Sequence, residues 1–176
     1  MRILHAFLAF AVSAGVAVFA QDRDLHLDVH YVPTPDAVVR TMLDAANVTA
    51  ADVVYDLGSG DGRIVIEAAK RYGARAVGVE LDPELIKQSN KNAQKAGVAD
   101  KVKFVRGDFF KTDLSEASVV TLFLSASINQ RLQPKLLREL AKGARVVSHR
   151  FPMPQDWKPD QDLTVRGIHV FLWTIR

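Results

Sequence analysis

Asp56, Glu80 and Asp108, with the glycines Gly58, Gly60 and Gly62, are spaced to hold a polar ligand at the rim of a sheet. The run VVYDLGSGDGR (53–63) begins with the short apolar, β-branched pattern of a buried strand. Glycines then fall at alternate positions with Ser59 and Asp61 between them. After them the period becomes helical, with Ile64, Val65, Ala68, Ala69 and Tyr72 on one face. Glycine lets a backbone turn with positive φ and lets a ligand lie against the main chain. The N-terminus of the helix that follows presents unpaired N–H groups. The spacing is GxGxG, not the GxGxxG of a dinucleotide fold. Asp56 and Asp61 beside the loop would repel a pyrophosphate and suit an ammonium group. Taken alone, the loop also fits an ordinary tight turn.

Two further strands end in acids. RAVGVELD (75–82) ends at Glu80, placed to hold both hydroxyls of a ribose. VKFVRGDFF (102–110) ends at Gly107-Asp108-Phe109, where a carboxylate can accept the amino hydrogens of an adenine. Phe109 or Leu81 can cover the base. Each acid singly also fits a solvated strand end. Three in order, at successive strand ends, point to one nucleoside site.

The set DLGSGDGR, VELD and GDFF resembles the class I methyltransferases that use S-adenosylmethionine, over about residues 33–175. The resemblance implies that Asp56, Gly58, Ser59, Gly60 and Gly62 hold the methionine part of that cofactor. It implies ribose on Glu80 and adenine on Asp108, flanked by Leu81 and Phe109. More narrowly, YVPTP (31–35), SASINQRLQPKLLREL (125–140) and RFPMPQDWKP (150–159) are similar to small protein-lysine methyltransferases. That family acts on the ATP synthase c subunit and the adenine nucleotide carrier, and has prokaryotic relatives.

The remaining pattern supplies the scaffold. Thr34-Pro35 opens a helix, with Thr34 as its cap and Val38, Thr41, Met42 and Ala45 on its buried face. Asp82-Pro83 opens another that runs to about Ala96 and stops at Gly97. Residues 117–124 read as strand four. A helix striped by Ile128, Leu132, Leu136 and Leu140 follows and is stopped by Gly143. Residues 144–149 read as strand five, and 162–166 with 168–175 as a hairpin about Gly167. The fold class is therefore α/β: one domain over 33–176, a seven-stranded, mostly parallel, doubly wound sheet with an antiparallel last strand. Trp157 and Trp173 are packing residues.

Methyl transfer from a sulfonium needs an aligned nucleophile and exclusion of water, and no covalent intermediate. A lysine acceptor must first lose its proton, since its free pKa is near ~10.4. Candidate acceptor-side residues are Tyr31, Thr34, Ser125 and Asn129. Each has a structural alternative: Thr34 and Ser125 as helix caps, Tyr31 as linker packing. The strand-four tip, LFLSAS, lacks the Asn/Asp-Pro-Pro-aromatic run common in enzymes that methylate DNA bases or glutamine. A protein lysine is the expected acceptor. A small molecule, or cofactor binding without transfer, is the alternative.

The chain has 176 residues, 48% of them hydrophobic, and a formal charge of +3. That is enough for one cored domain. No basic run exceeds two residues, so no nucleic-acid partner is expected. With no cysteine there is no disulfide, thiolate metal site or cysteine nucleophile. His26 and His30 have helical ligand spacing but no further clustered ligand, so no metal is expected. Residues 3–20 are uncharged, follow Arg2 and end in Val18-Phe19-Ala20. This reads as a secretory signal peptide, and hence an exported or periplasmic enzyme. The alternative is an uncleaved membrane anchor. Residues 21–32 form a polar linker.

Overall fold

The computed structural model describes residues 32–176. The leader, His26, His30 and Tyr31 lie outside the described residues. The chain folds as α1 (Asp36–Ala45), β1 (Val53–Leu57), α2 (Arg63–Tyr72), β2 (Arg75–Glu80), α3 (Pro83–Ala96) and β3 (Val102–Arg106). It continues as β4 (Val119–Leu122), α4 (Ala126–Glu139), β5 (Arg145–His149), β6 (Gln161–Val165) and β7 (Ile168–Thr174). The seven strands form one sheet in the order β3-β2-β1-β4-β5-β7-β6. β1 to β5 are parallel, and β7 runs antiparallel to both β5 and β6. The sheet class and the closing hairpin match the expectation.

Alternate side chains divide between two faces. Val54, Ala76, Val119, Val147, Val170 and Leu172 meet α1 and α2. Val53, Tyr55, Leu57, Val120, Leu122, Val146 and Trp173 meet α4 and the loops that lead to β4 and β6. The Trp173 indole N–H donates to the Trp157 carbonyl at 2.8 Å, so the two tryptophans are packing residues as expected.

Four expectations are corrected. Thr34 does not cap α1: Pro35 is the N-cap residue and no side chain bonds there. The buried stripe of α1 is Val38, Val39, Met42 and Leu43, while Thr41 and Ala45 are half-buried. The helix lies against α2 as well as against β5, β6 and β7, so adjacent pairs are covered from two sides. α4 ends at Glu139, before Gly143, and β4 is shorter than the apolar run. At the start of that run Ser118 turns aside: its hydroxyl donates to Asp52 Oδ1 at 2.7 Å and accepts from the Val53 N–H.

Gly62, the left-handed residue before α2, has φ +82°, and a Cβ there would lie 2.6 Å from the Phe104 ring and 2.9 Å from Ser89 Cβ. Gly62→Ala should cost about 2–4 kcal/mol, from left-handed strain plus overpacking. Urea melts would register this as a lower midpoint. An unchanged midpoint would mean that α2 and α3 move apart freely.

Candidate active site

The loop after β1 is folded back onto the tip of β2. The N–H groups of Gly58 and Ser59 both donate to the Val79 carbonyl, at 2.9 and 3.0 Å. Gly60 N–H donates to Glu80 Oε2 at 2.9 Å. The other Glu80 oxygen accepts from the N–H groups of Leu81 (2.7 Å) and Asp82 (3.0 Å). Ser59 is buried against the bare Cα of Gly78, and its hydroxyl has no hydrogen-bond partner. Gly58 is the exposed glycine of the loop.

The acids differ in surroundings. Asp61 is gripped by Arg63, whose Nη2 and Nε donate at 2.7 and 3.0 Å. The reading that both loop acids suit an ammonium is corrected here: the charge of Asp61 is already matched by a guanidinium. Asp56 is buried in β1 and accepts from the Thr121 hydroxyl at 2.7 Å. Burial, with lesser help from the Glu80 and Asp61 charges, pushes its carboxyl up to about 7. Asp108 accepts from the Phe110 N–H at 2.9 Å, and the Lys111 ammonium lies 3.8 Å away. The Gly107 N–H donates to the Glu80 carbonyl, which locks the tips of β2 and β3 together. Leu81 and Phe109 are half-buried beside those tips.

Thr34, Ser125 and Asn129 gather at the carboxyl ends of β4 and β5. Ser125 caps α4, accepting from the Ile128 N–H at 3.3 Å. Asn129 is fully buried and donates to the Ser148 hydroxyl (3.2 Å) and the Phe151 carbonyl (2.9 Å); its Oδ1 has no hydrogen-bond partner. The Thr34 carbonyl accepts from Arg63 at 2.8 Å, and its hydroxyl lies 3.2 Å from His149 Nδ1. His149 is buried, with its ring centroid 3.8 Å from that of Phe123. Burial, reinforced by the neighbouring Arg150 charge, lowers its pKa to about 4. Arg150 itself takes φ +69° in a tight turn closed by Phe151 N–H to the His149 carbonyl. Sequence reasoning missed Arg63, Thr121, Phe123 and His149. For Thr121 and His149 the available signal was a polar residue near the carboxyl end of an apolar strand, where open α/β sheets bind ligands.

The exposed Gly58, the buried Asp56 and the joined acidic tips of β2 and β3 are the residues expected to cradle a nucleoside bearing a cationic chain. The cradle sits at the switch point between β1 and β4. Sheet order and site together define a Rossmann-like methyltransferase that uses S-adenosylmethionine. The chain belongs to the ANTKMT methyltransferase domain family, whose model matches residues 56–161. It is 50% identical over 138 residues to a protein-lysine N-methyltransferase of Saccharolobus islandicus, covering 78% of this chain and 85% of that one. It is 43% identical over 136 residues to the mouse adenine nucleotide translocase lysine N-methyltransferase, covering 77% of this chain and 58% of the relative. A solved structure described as an RNA methyltransferase from Salinibacter ruber, in complex with S-adenosyl-L-homocysteine, is 56% identical with TM-score 0.80. That match covers 82% of this chain and 94% of the other.

Two tests follow from the acids. A cationic ligand beside Asp56 should drive its proton off, releasing about 0.5 proton on binding at pH 7. Calorimetry of S-adenosylhomocysteine binding in buffers of different ionisation enthalpy reads this directly, and Asp56→Asn should abolish the release. Buffer-independent heats would show that no group near the cofactor titrates. Glu80→Ala removes a charged acceptor from the Gly60, Leu81 and Asp82 N–H groups as well as from any ribose. Affinity should fall at least about tenfold, and an unchanged dissociation constant would overturn the ribose assignment.

Proposed function

We propose that this enzyme methylates the side-chain amine of a lysine in a protein. The observation that carries the reading is the 50% identity to a protein-lysine N-methyltransferase along most of both chains. The β4 tip supports it, since Phe123-Leu124-Ser125 stands where base- and glutamine-methylating enzymes place an Asn/Asp-Pro-Pro-aromatic run. The description of the Salinibacter structure favours a second reading, RNA as acceptor.

In this proposal Asp56 faces the ammonium of the methionine part, and the backbone of Gly58 and Gly60 lies against it with Ser59 and Gly62 shaping the loop. Glu80 takes the ribose, and Asp108 with Leu81 and Phe109 takes the base. Bound there, the cofactor supplies a methyl on a sulfonium that is already a good leaving group. The protein aligns the acceptor nitrogen behind that methyl and keeps water away. Desolvation at the β4 and β5 tips favours the free amine over the ammonium. The lysine ammonium gives its proton to solvent before transfer, and the Ser125 hydroxyl is proposed to accept a hydrogen bond from the free amine, with Asn129 and Thr34 holding the surrounding turns and Tyr31 as a further acceptor-side candidate. We place the domain outside the cytoplasm after cleavage of residues 1–20, or at a membrane if that segment is retained.

Labelling with tritiated methyl groups, sorted into protein, RNA and low-mass fractions, tests the acceptor. Label should appear in protein and survive acid hydrolysis as methyl-lysines. The rate should rise about tenfold per pH unit from 7 toward 9.5 where deprotonation limits. Label confined to RNA or to small molecules would overturn the lysine reading, and a pH-independent rate on protein would exclude an amine that must shed its proton.

A further inference from the structure

The β1–β4 and β4–β5 ladders end at the pairs Leu57–Leu122 and Leu122–Ser148. One residue further, at the carboxyl edge, Gly58, Phe123 and His149 form a row across three strands. Phe123 thus stands between the exposed glycine of the cofactor loop and a buried imidazole. Its ring meets the imidazole at 3.8 Å between centroids with the planes 32° apart, yet Phe123 is only half-buried, so part of the ring stays exposed. The imidazole is fixed from the other side by the Thr34 hydroxyl, and Thr34 is fixed through its carbonyl by Arg63.

We propose that Phe123 is the residue against which the acceptor side chain lies, and that His149 is its positioning residue. This rests on the lysine reading. A lysine stem is four methylenes ending in nitrogen, and an aromatic ring suits both parts: its surface packs the stem and its face attracts the ammonium of a methylated product. His149 stays uncharged near neutrality, with Arg150 as the charge acting on it and Arg63 beyond Thr34. It therefore adds no repulsion toward an incoming cation. Removing the ring should weaken acceptor binding and leave cofactor binding intact, because the loop is held by Val79, Glu80 and Gly78 and not by Phe123.

The experiment compares Phe123→Ala, Phe123→Tyr, His149→Gln and His149→Phe with the wild type. S-adenosylhomocysteine affinity is measured by calorimetry, and acceptor KM and kcat on whichever acceptor fraction the wild type labels. Phe123→Ala should raise the acceptor KM about tenfold, the equivalent of about 1.4 kcal/mol, with cofactor affinity unchanged. Phe123→Tyr should restore the wild-type KM. His149→Gln, which loses the ring stack, should raise KM, and His149→Phe, which keeps it, should not. Wild-type KM in Phe123→Ala, or an equal loss of cofactor affinity, would overturn the proposal. A wild type that labels only RNA or small molecules overturns the lysine reading instead, and the Phe123 variants on that acceptor then decide the role of the ring separately.

Discussion

Everything at the carboxyl edge of this sheet depends on how closely the loop after β1 lies on β2. Gly78 leaves a bare Cα where a Cβ would come within 2.6 Å of the Ser59 hydroxyl. That contact lets the N–H groups of Gly58 and Ser59 reach the Val79 carbonyl, and lets Gly60 reach the carboxylate of Glu80. Gly62 then turns the chain into α2 against Phe104. One missing side chain in a neighbouring strand, distant in sequence, sets the height of the loop. The acid that closes β2 is thereby a brace for the loop before it is anything for a ligand.

The strand ends were legible in the sequence because they follow a local rule: an apolar run with an acid at or beside its end. β1, α2, α3 and the closing hairpin emerge close to their expected bounds for the same reason. The cap assigned to Thr34 failed because its alternative partner, His149, is 115 positions away. A Thr-Pro pair before a helix is the same string whether the hydroxyl turns toward the helix or toward a distant imidazole. The pairing of Asp61 with Arg63 was missed for a related reason. Its two members are two residues apart, but the link to Thr34 that orients the guanidinium is 29 apart. Phe123 and His149 read as ordinary strand residues until the parallel register sets them side by side.

Burial gives the site an acid and a base of unusual kind, and their effects on stability oppose each other. Asp56 has its pKa raised, so the stability it contributes is complete below its unfolded value and fades as pH climbs through about 7. His149 has its pKa lowered, so its contribution is present above its unfolded value and is lost as pH falls toward about 4. Between these limits both groups are uncharged.

Because β7 runs antiparallel to β5, Thr174 lies opposite Arg145, at the edge of the sheet away from the loop. Thr34, in contrast, is bonded to the residue that closes β5 at the loop edge. The two ends of the domain therefore leave from opposite poles. A tether attached ahead of Thr34 would turn the mouth of the enzyme toward whatever holds the tether and would pull on the bonds to Arg63 and His149. A tether attached after Arg176 would turn the mouth away and leave those bonds unloaded. For immobilisation or fusion, the choice of end is a choice of which way the enzyme faces.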